Sequence, residues 1–254
     1  MKQNAVQAGS ARRGLWARLA AAGLFGLVAI GAAEAGDRAV LDAIGFSASG
    51  EVFVFEEFGV QDGSGFAYSN IYVVDLAADK WIAGSPFRNR SDSEDVALAD
   101  IRAKSRKQAA AAIAQYSVDV PAEALVINGD ADTETDLRHV RFGMPMSGPK
   151  AIHDPRDLTL AVFDTTAAEP CEDYMEEKPK GFALTLTTGG DVVELHRDGA
   201  LPKSRGCALD YGIYGVFTPF GDYGFERGVA LVSVYSFGFE GPDRRFVAVP
   251  LGAK

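Results

Sequence analysis

Val52-Phe53-Val54-Phe55 and, beyond a polar loop, Asn70-Ile71-Tyr72-Val73-Val74-Asp75-Leu76 decide the fold class. Both runs are short, apolar, rich in β-branched and aromatic residues, and bounded by turn formers, which is the signature of buried strands. Working outward, residues 41–46 make a further apolar stretch that Ser47-Ala48-Ser49-Gly50 turns into the first strand. Gln61-Asp62-Gly63-Ser64-Gly65 reads as a loop, because two glycines among short polar residues supply positive φ. Ala77-Ala78-Asp79-Lys80 turns the chain again, into Trp81-Ile82.

A helix interrupts this pattern. Ser91-Asp92-Ser93-Glu94 fits a capping box, and Leu98, Ile101, Ala109, Ala112, Ile113 and Tyr116 line one side of a helix expected at about 92–116. Its basic cluster, Arg102, Lys104, Arg106 and Lys107, is expected to meet the protein's own carboxylates or water. Strand patterns return after Pro121 at 124–127, 137–142, 158–163, 182–187 and 192–195, with Thr188-Gly189-Gly190-Asp191 as a hairpin turn between the last two. Residues 229–237 and 245–249 form a closing hairpin. The expected fold is one mainly β domain over residues 36–254, irregular propeller-like or sandwich, carrying a single long helix.

Residues 1–35 are read separately, as a signal peptide. Lys2, Arg12, Arg13 and Arg18 precede an apolar run at 19–33, and Ala33-Glu34-Ala35 offers small residues at a cleavage site. An uncleaved anchor is the alternative, but the run is short and rich in Ala and Gly, where a spanning helix needs about 20 strongly apolar residues. A periplasmic or secreted protein follows, with no stable membrane anchor after cleavage.

The whole chain holds 25 basic and 35 acidic residues. Without the four basic residues and one acid of the leader, 21 face 34, a net charge of −13. Such a field repels phosphate backbones and excludes nucleic acid as a partner. Cys171 and Cys207 are the only cysteines. In an oxidising compartment, with no CxxC spacing, they are expected to form one structural disulfide.

Two resemblances add to this. Phe46-Ser47 with Gly50, the strand at 52–55 and Asn70-Ile71-Tyr72-Val73-Val74-Asp75 with Trp81 resemble one blade of the β-propeller of periplasmic TolB-like proteins, although no second blade recurs. Residues 55–66 with Tyr68-Ser69-Asn70-Ile71-Tyr72, and residues 238–249, resemble a family of bacterial predicted secreted proteins. One segment opens the domain and the other closes it, so this likeness covers nearly all of the exported chain. It implies export and no particular activity.

Candidate chemistry is sparse. Residues 128–136 alternate oxygen ligands as a calcium loop does, but Thr133 or Thr135 falls where the sharp-turn glycine belongs, and a solvated acidic loop is the plainer expectation. His139, His153 and His196 lack metal-ligand spacing. Gly45-Phe46-Ser47-Ala48-Ser49 misses the serine-hydrolase elbow at its last position. Glu56 and Glu57 must point to opposite faces of a strand, and one is expected to be solvated and the other salt-bridged inside. No cofactor is expected.

The function expected is non-catalytic binding of a protein or small ligand in the cell envelope. An exported hydrolase, with acid and base from distant loops, is the alternative. The loop at 61–69 is the expected binding site, through Asp62 and exposed Phe66 and Tyr68, with Arg244 and Arg245 of the closing hairpin as polar neighbours reaching Asp62 or Glu56.

Overall fold

The computed structural model describes residues 36–129, 134–171, 178–238 and 241–252. The expected signal peptide at 1–35 and the middle of the acidic loop at 130–133 lie outside the described residues. Strands β1 (Val40–Ser47), β2 (Val52–Val60), β3 (Ala67–Asp75), β4 (Lys80–Trp81) and β5 (Phe87–Arg90) form an antiparallel meander. Gly50, at φ 73°, donates to Ser47 O at 2.8 Å and closes the first turn. After helix α1 (Leu98–Gln115), β6 (Val118–Val120) pairs with β1, giving the order β4-β3-β2-β1-β6 with β5 also on β3.

Pro121 then passes the chain to β7 (Ala122–Ile127) in another sheet. Strands β8 (His139–Pro145), β9 (Ile152–Asp164), β10 (Lys180–Thr188) and β11 (Asp191–Arg197) form their own antiparallel sheet. Gly189 and Gly190 supply the positive φ of the β10–β11 hairpin. A 3-10 turn at Lys203–Arg205 leads into β12 (Ala208–Pro219), and β13 (Val229–Ser236) and β14 (Asp243–Pro250) complete the order β14-β13-β12-β7.

The sheets stack face to face, and the sequence shows why. Strand β13 reads Val-Ala-Leu-Val-Ser-Val, apolar on both faces apart from the buried Ser233. Val229 and Leu231 join a core with Phe53, Phe55 and Tyr72 of the first sheet, while Ala230, Val232 and Val234 join a core with Leu158, Phe182 and Leu184 of the β8–β11 sheet. The β7–β14 sheet is therefore the middle layer. In β2 the same logic holds: Phe53 and Phe55 face the middle sheet, while Val52 and Val54 pack with Ile71, Val73 and Ala109 under α1. A strand buried on both faces has no reason to alternate. Among the described residues the arrangement is a layered sandwich with one α-helix, and the likeness to a propeller blade does not extend to the architecture.

Several expectations need correction. The helix begins at Leu98, not near residue 92, with Ala97 as an N-cap lacking any side-chain bond. Ser91 donates its N–H to Ala67 O at 2.8 Å, continuing the β3–β5 ladder, so its backbone is committed elsewhere. The loop expected at 61–69 is shorter, because β3 starts at Ala67 and Gln61 N bonds Phe66 O at 2.9 Å. Cys171 and Cys207 do form a disulfide, with Cα atoms 5.7 Å apart. Among the described residues no helix is long and apolar enough to cross a membrane.

Candidate functional site

The neighbouring acids of β2 organise both faces of the first sheet, and neither is solvated as expected for one of them. Glu56, fully buried, points to the helix side. There its carboxylate accepts bonds from Arg102 at 2.9 Å, Arg106 at 3.0 Å and Ser69 Oγ at 2.9 Å, and Asp42 joins the same arginines. Burial alone would raise its pKa, but the bonds from Arg102, Ser69 and Arg106 outweigh that, and the carboxyl is held below its ordinary range. The basic cluster of α1 thus serves the protein's own carboxylates through Arg102 and Arg106.

Glu57 points the other way. Its Oε1 accepts from Tyr72 Oη at 2.8 Å and Asn70 Nδ2 at 3.0 Å, and its Oε2 from Phe246 N–H at 3.1 Å. Burial dominates here and pushes the carboxyl above its ordinary range, against the pull of Asn70, Tyr72 and Arg245. Burial and the Glu57 charge likewise push the Tyr72 hydroxyl well above its ordinary range.

Above Glu57 opens a cleft of about 740 Å³. One wall is Asn70, Tyr72 and Val74 of β3 with Trp81 and Arg88 of β4 and β5. The facing wall is the segment from Pro202 to Gly206, and residues of β13 and β14, among them Val234, Phe246 and Val247, continue the lining. A run of aromatic contacts leads out from the core: Phe46 to Phe53 at 4.7 Å, Phe53 to Phe55 at 5.8 Å, Phe55 to Tyr72 at 4.7 Å and Tyr72 to Trp81 at 5.5 Å. Trp81 remains 44% exposed, with the Arg88 guanidinium 5.7 Å from its ring centroid. Five cations line the cleft (Lys80, Arg88, Lys203, Arg205, Arg245) against two carboxylates, Glu57 and Asp79. That sign is opposite to the chain's net −10. Volume, aromatic lining and a few convergent charged groups suit a small organic ligand.

Of the five residues expected to bind, Arg245 alone lines this cleft. Its Nη2 meets Asp37 Oδ2 at 2.6 Å, and its guanidinium lies 4.6 Å from the Tyr68 ring centroid. The arginine reaches Asp37 rather than the expected Asp62 or Glu56. Tyr68 is not exposed: it is a buried β3 residue whose hydroxyl donates to Asp37 Oδ1 at 2.8 Å. Arg244 is buried too, donating to Ala39 O at 2.7 Å and stacking on Phe246. Asp62 accepts from Gly63 N–H within its own loop, and Phe66 is half-buried. The opening and closing segments are neighbours, as the Glu57–Phe246 bond shows, but their polar residues mainly bind each other.

His139 pairs with Asp157 and His196 with Asp198, each at 3.0 Å. Among the described residues no group of His, Cys, Asp or Glu could hold a metal ion. Ser47 Oγ accepts Val52 N–H at 3.0 Å inside its turn, which is no nucleophile elbow. Sequence reasoning missed Lys80, Trp81, Arg88, Lys203 and Arg205 as a group. A tryptophan standing just past a turn was the one local signal, since the two walls lie more than a hundred residues apart in the chain.

A layered β domain with a cationic, aromatic-lined cleft defines a small-molecule-sized pocket on a rigid scaffold. The chain belongs to the family described as "Predicted secreted protein (DUF2259)", which matches residues 54–251. No curated protein matches it. The family's description as secreted agrees with the export expected from the sequence.

Proposed function

We propose that this secreted protein is a non-catalytic binding protein of the cell envelope that holds a small ligand in the cleft above Glu57. The cleft itself carries the proposal. It is large enough for a drug-sized molecule, opens on a scaffold buried on both sides, and gathers five cations against two carboxylates in a chain whose net charge is −10. Glu57, its deepest carboxylate, already accepts three internal bonds and is placed as a strut more than as a free base.

The experiment is a thermal-shift screen of the exported protein against small molecules, paired with ester, peptide and glycoside substrates. The expected result is a ligand that raises the melting temperature without turnover. Ser204→Trp, which places a ring into the cleft from an exposed position, should abolish the shift and leave the unliganded melting temperature unchanged. Reproducible turnover that disappears in Glu57→Gln would overturn the proposal in favour of an exported hydrolase.

A further inference from the structure

Resting on that reading, we infer that the ligand is an organic anion with a flat apolar body, its ring against Trp81 and its charge between Arg88 and Lys203. The five cations of the cleft are not equivalent. Arg205 is neutralised by Asp198 at 3.3 Å and Arg245 by Asp37 at 2.6 Å, both acids being buried. Lys80 and Arg88 on one wall and Lys203 on the other are exposed; Arg88 hydrogen-bonds the Tyr72 hydroxyl, a neutral partner. Lys203 touches Glu169 at 2.6 Å, but with 79% and 58% of those side chains exposed, such a pair is weak and exchanges readily for a ligand anion.

Between the two walls Phe55, Val234, Phe246 and Val247 give apolar lining beside the polar Glu57 and Ser236, and Trp81 offers its ring at the edge. An inorganic anion would satisfy the cations and leave a space of about 740 Å³ largely unfilled. A neutral apolar molecule would fill the space and leave the cations unused. An anion on a flat body uses both the local cations and the aromatic edge.

Titration calorimetry on the exported protein tests this with three probes: 2-naphthoate, its neutral analogue 2-naphthamide, and inorganic phosphate. Naphthoate is expected to bind about tenfold or more tightly than the amide, and phosphate more weakly than naphthoate. Arg88→Gln and Lys203→Gln should each weaken naphthoate about tenfold without affecting the amide. Arg88→Lys should restore most of the loss, and Trp81→Ala should weaken both aromatic probes. Equal affinity for acid and amide, or no effect of either glutamine variant, would overturn the anion assignment and leave the binding reading standing. Silence of all three probes also overturns it, and the binding reading falls with it only if the wider thermal-shift screen finds no ligand either.

Discussion

Glu56 and Glu57 are one peptide bond apart and experience opposite electrostatics. The alternation of a strand makes their opposite orientation legible from sequence. Their partners were not legible, because Arg102 and Arg106 come from α1 and the Phe246 N–H from the last strand. The consequence is a pair of opposed pH effects. Glu57 is raised, first by burial, so the native state holds its proton more tightly than the unfolded chain does. Its linkage lowers stability as pH rises from the ordinary glutamate range through the raised value. Glu56 is lowered, its bonds to Arg102, Ser69 and Arg106 overcoming burial, so its contribution is complete above the unfolded value and disappears as pH falls through the folded one. Urea midpoints measured between about pH 3 and about pH 8 should separate the two. Glu57→Gln should flatten the decline above about pH 5, and Glu56→Gln the decline on the acid side. Glu56→Gln should also cost about 2 kcal/mol at neutral pH, because an amide faces the two half-exposed arginines. Curves parallel to the parent in both variants would contradict these assignments.

At the scale of elements, α1 shows what a local motif can and cannot decide. Its apolar stripe was legible: Ile101 and Ala109 are buried, and Ala112, Ile113 and Tyr116 pack beside them on the first sheet. Its start was misread, since Ser91-Asp92-Ser93-Glu94 satisfies the capping pattern while tertiary pairing takes Ser91 for the β5 ladder. Glu94 lies against Gly65, whose added Cβ would fall 2.7 Å from Glu94 Cγ, so that side chain serves the neighbouring loop. The true N-cap, Ala97, is extended at φ −63° and ψ 138°, and its carbonyl accepts from Asp100 N–H at 3.0 Å. Ala97→Ser should therefore supply the missing side-chain acceptor and stabilise the protein by about 0.5–1 kcal/mol. For a domain of this size that raises the melting temperature by about 1–4 °C. A scanning-calorimetry midpoint that is unchanged or lower would show that the first turn is satisfied by other means.

On the scale of the whole molecule, the layered order follows from strands buried on both faces; the apolar run at 52–55 marked β2 as a buried strand, but the burial of its second face, Glu56 and Glu57 included, was not legible. Which sheet covers which face was not, because the strands that pack across β1–β5 come from β12–β14, far along the chain. Two long-range ties then fasten the stack. The Cys171–Cys207 disulfide spans 36 residues, and replacing both cysteines by serine should lower the denaturant-derived stability by up to about 4 kcal/mol. The second tie joins the start of the domain to its end. Asp37 donates its N–H to Asp243 Oδ1 at 2.9 Å, accepts Arg244 N–H on its carbonyl at 2.9 Å, and gives its carboxylate to Tyr68 and Arg245. Gly36 passes so close that an added Cβ would sit 2.3 Å from Pro242 O, a backbone atom that cannot step aside. Asp37→Ala leaves a half-buried guanidinium and a buried hydroxyl without their carboxylate and should cost about 2 kcal/mol. Arg245→Leu alone should cost a similar amount by stranding Asp37. The double variant should cost clearly less than the two losses added, since removing both members of such a pair is far less harmful than removing one. Additive losses in that cycle, read from urea unfolding, would mean that Asp37 and Arg245 act independently and that the ends of the domain are held by the backbone bonds alone.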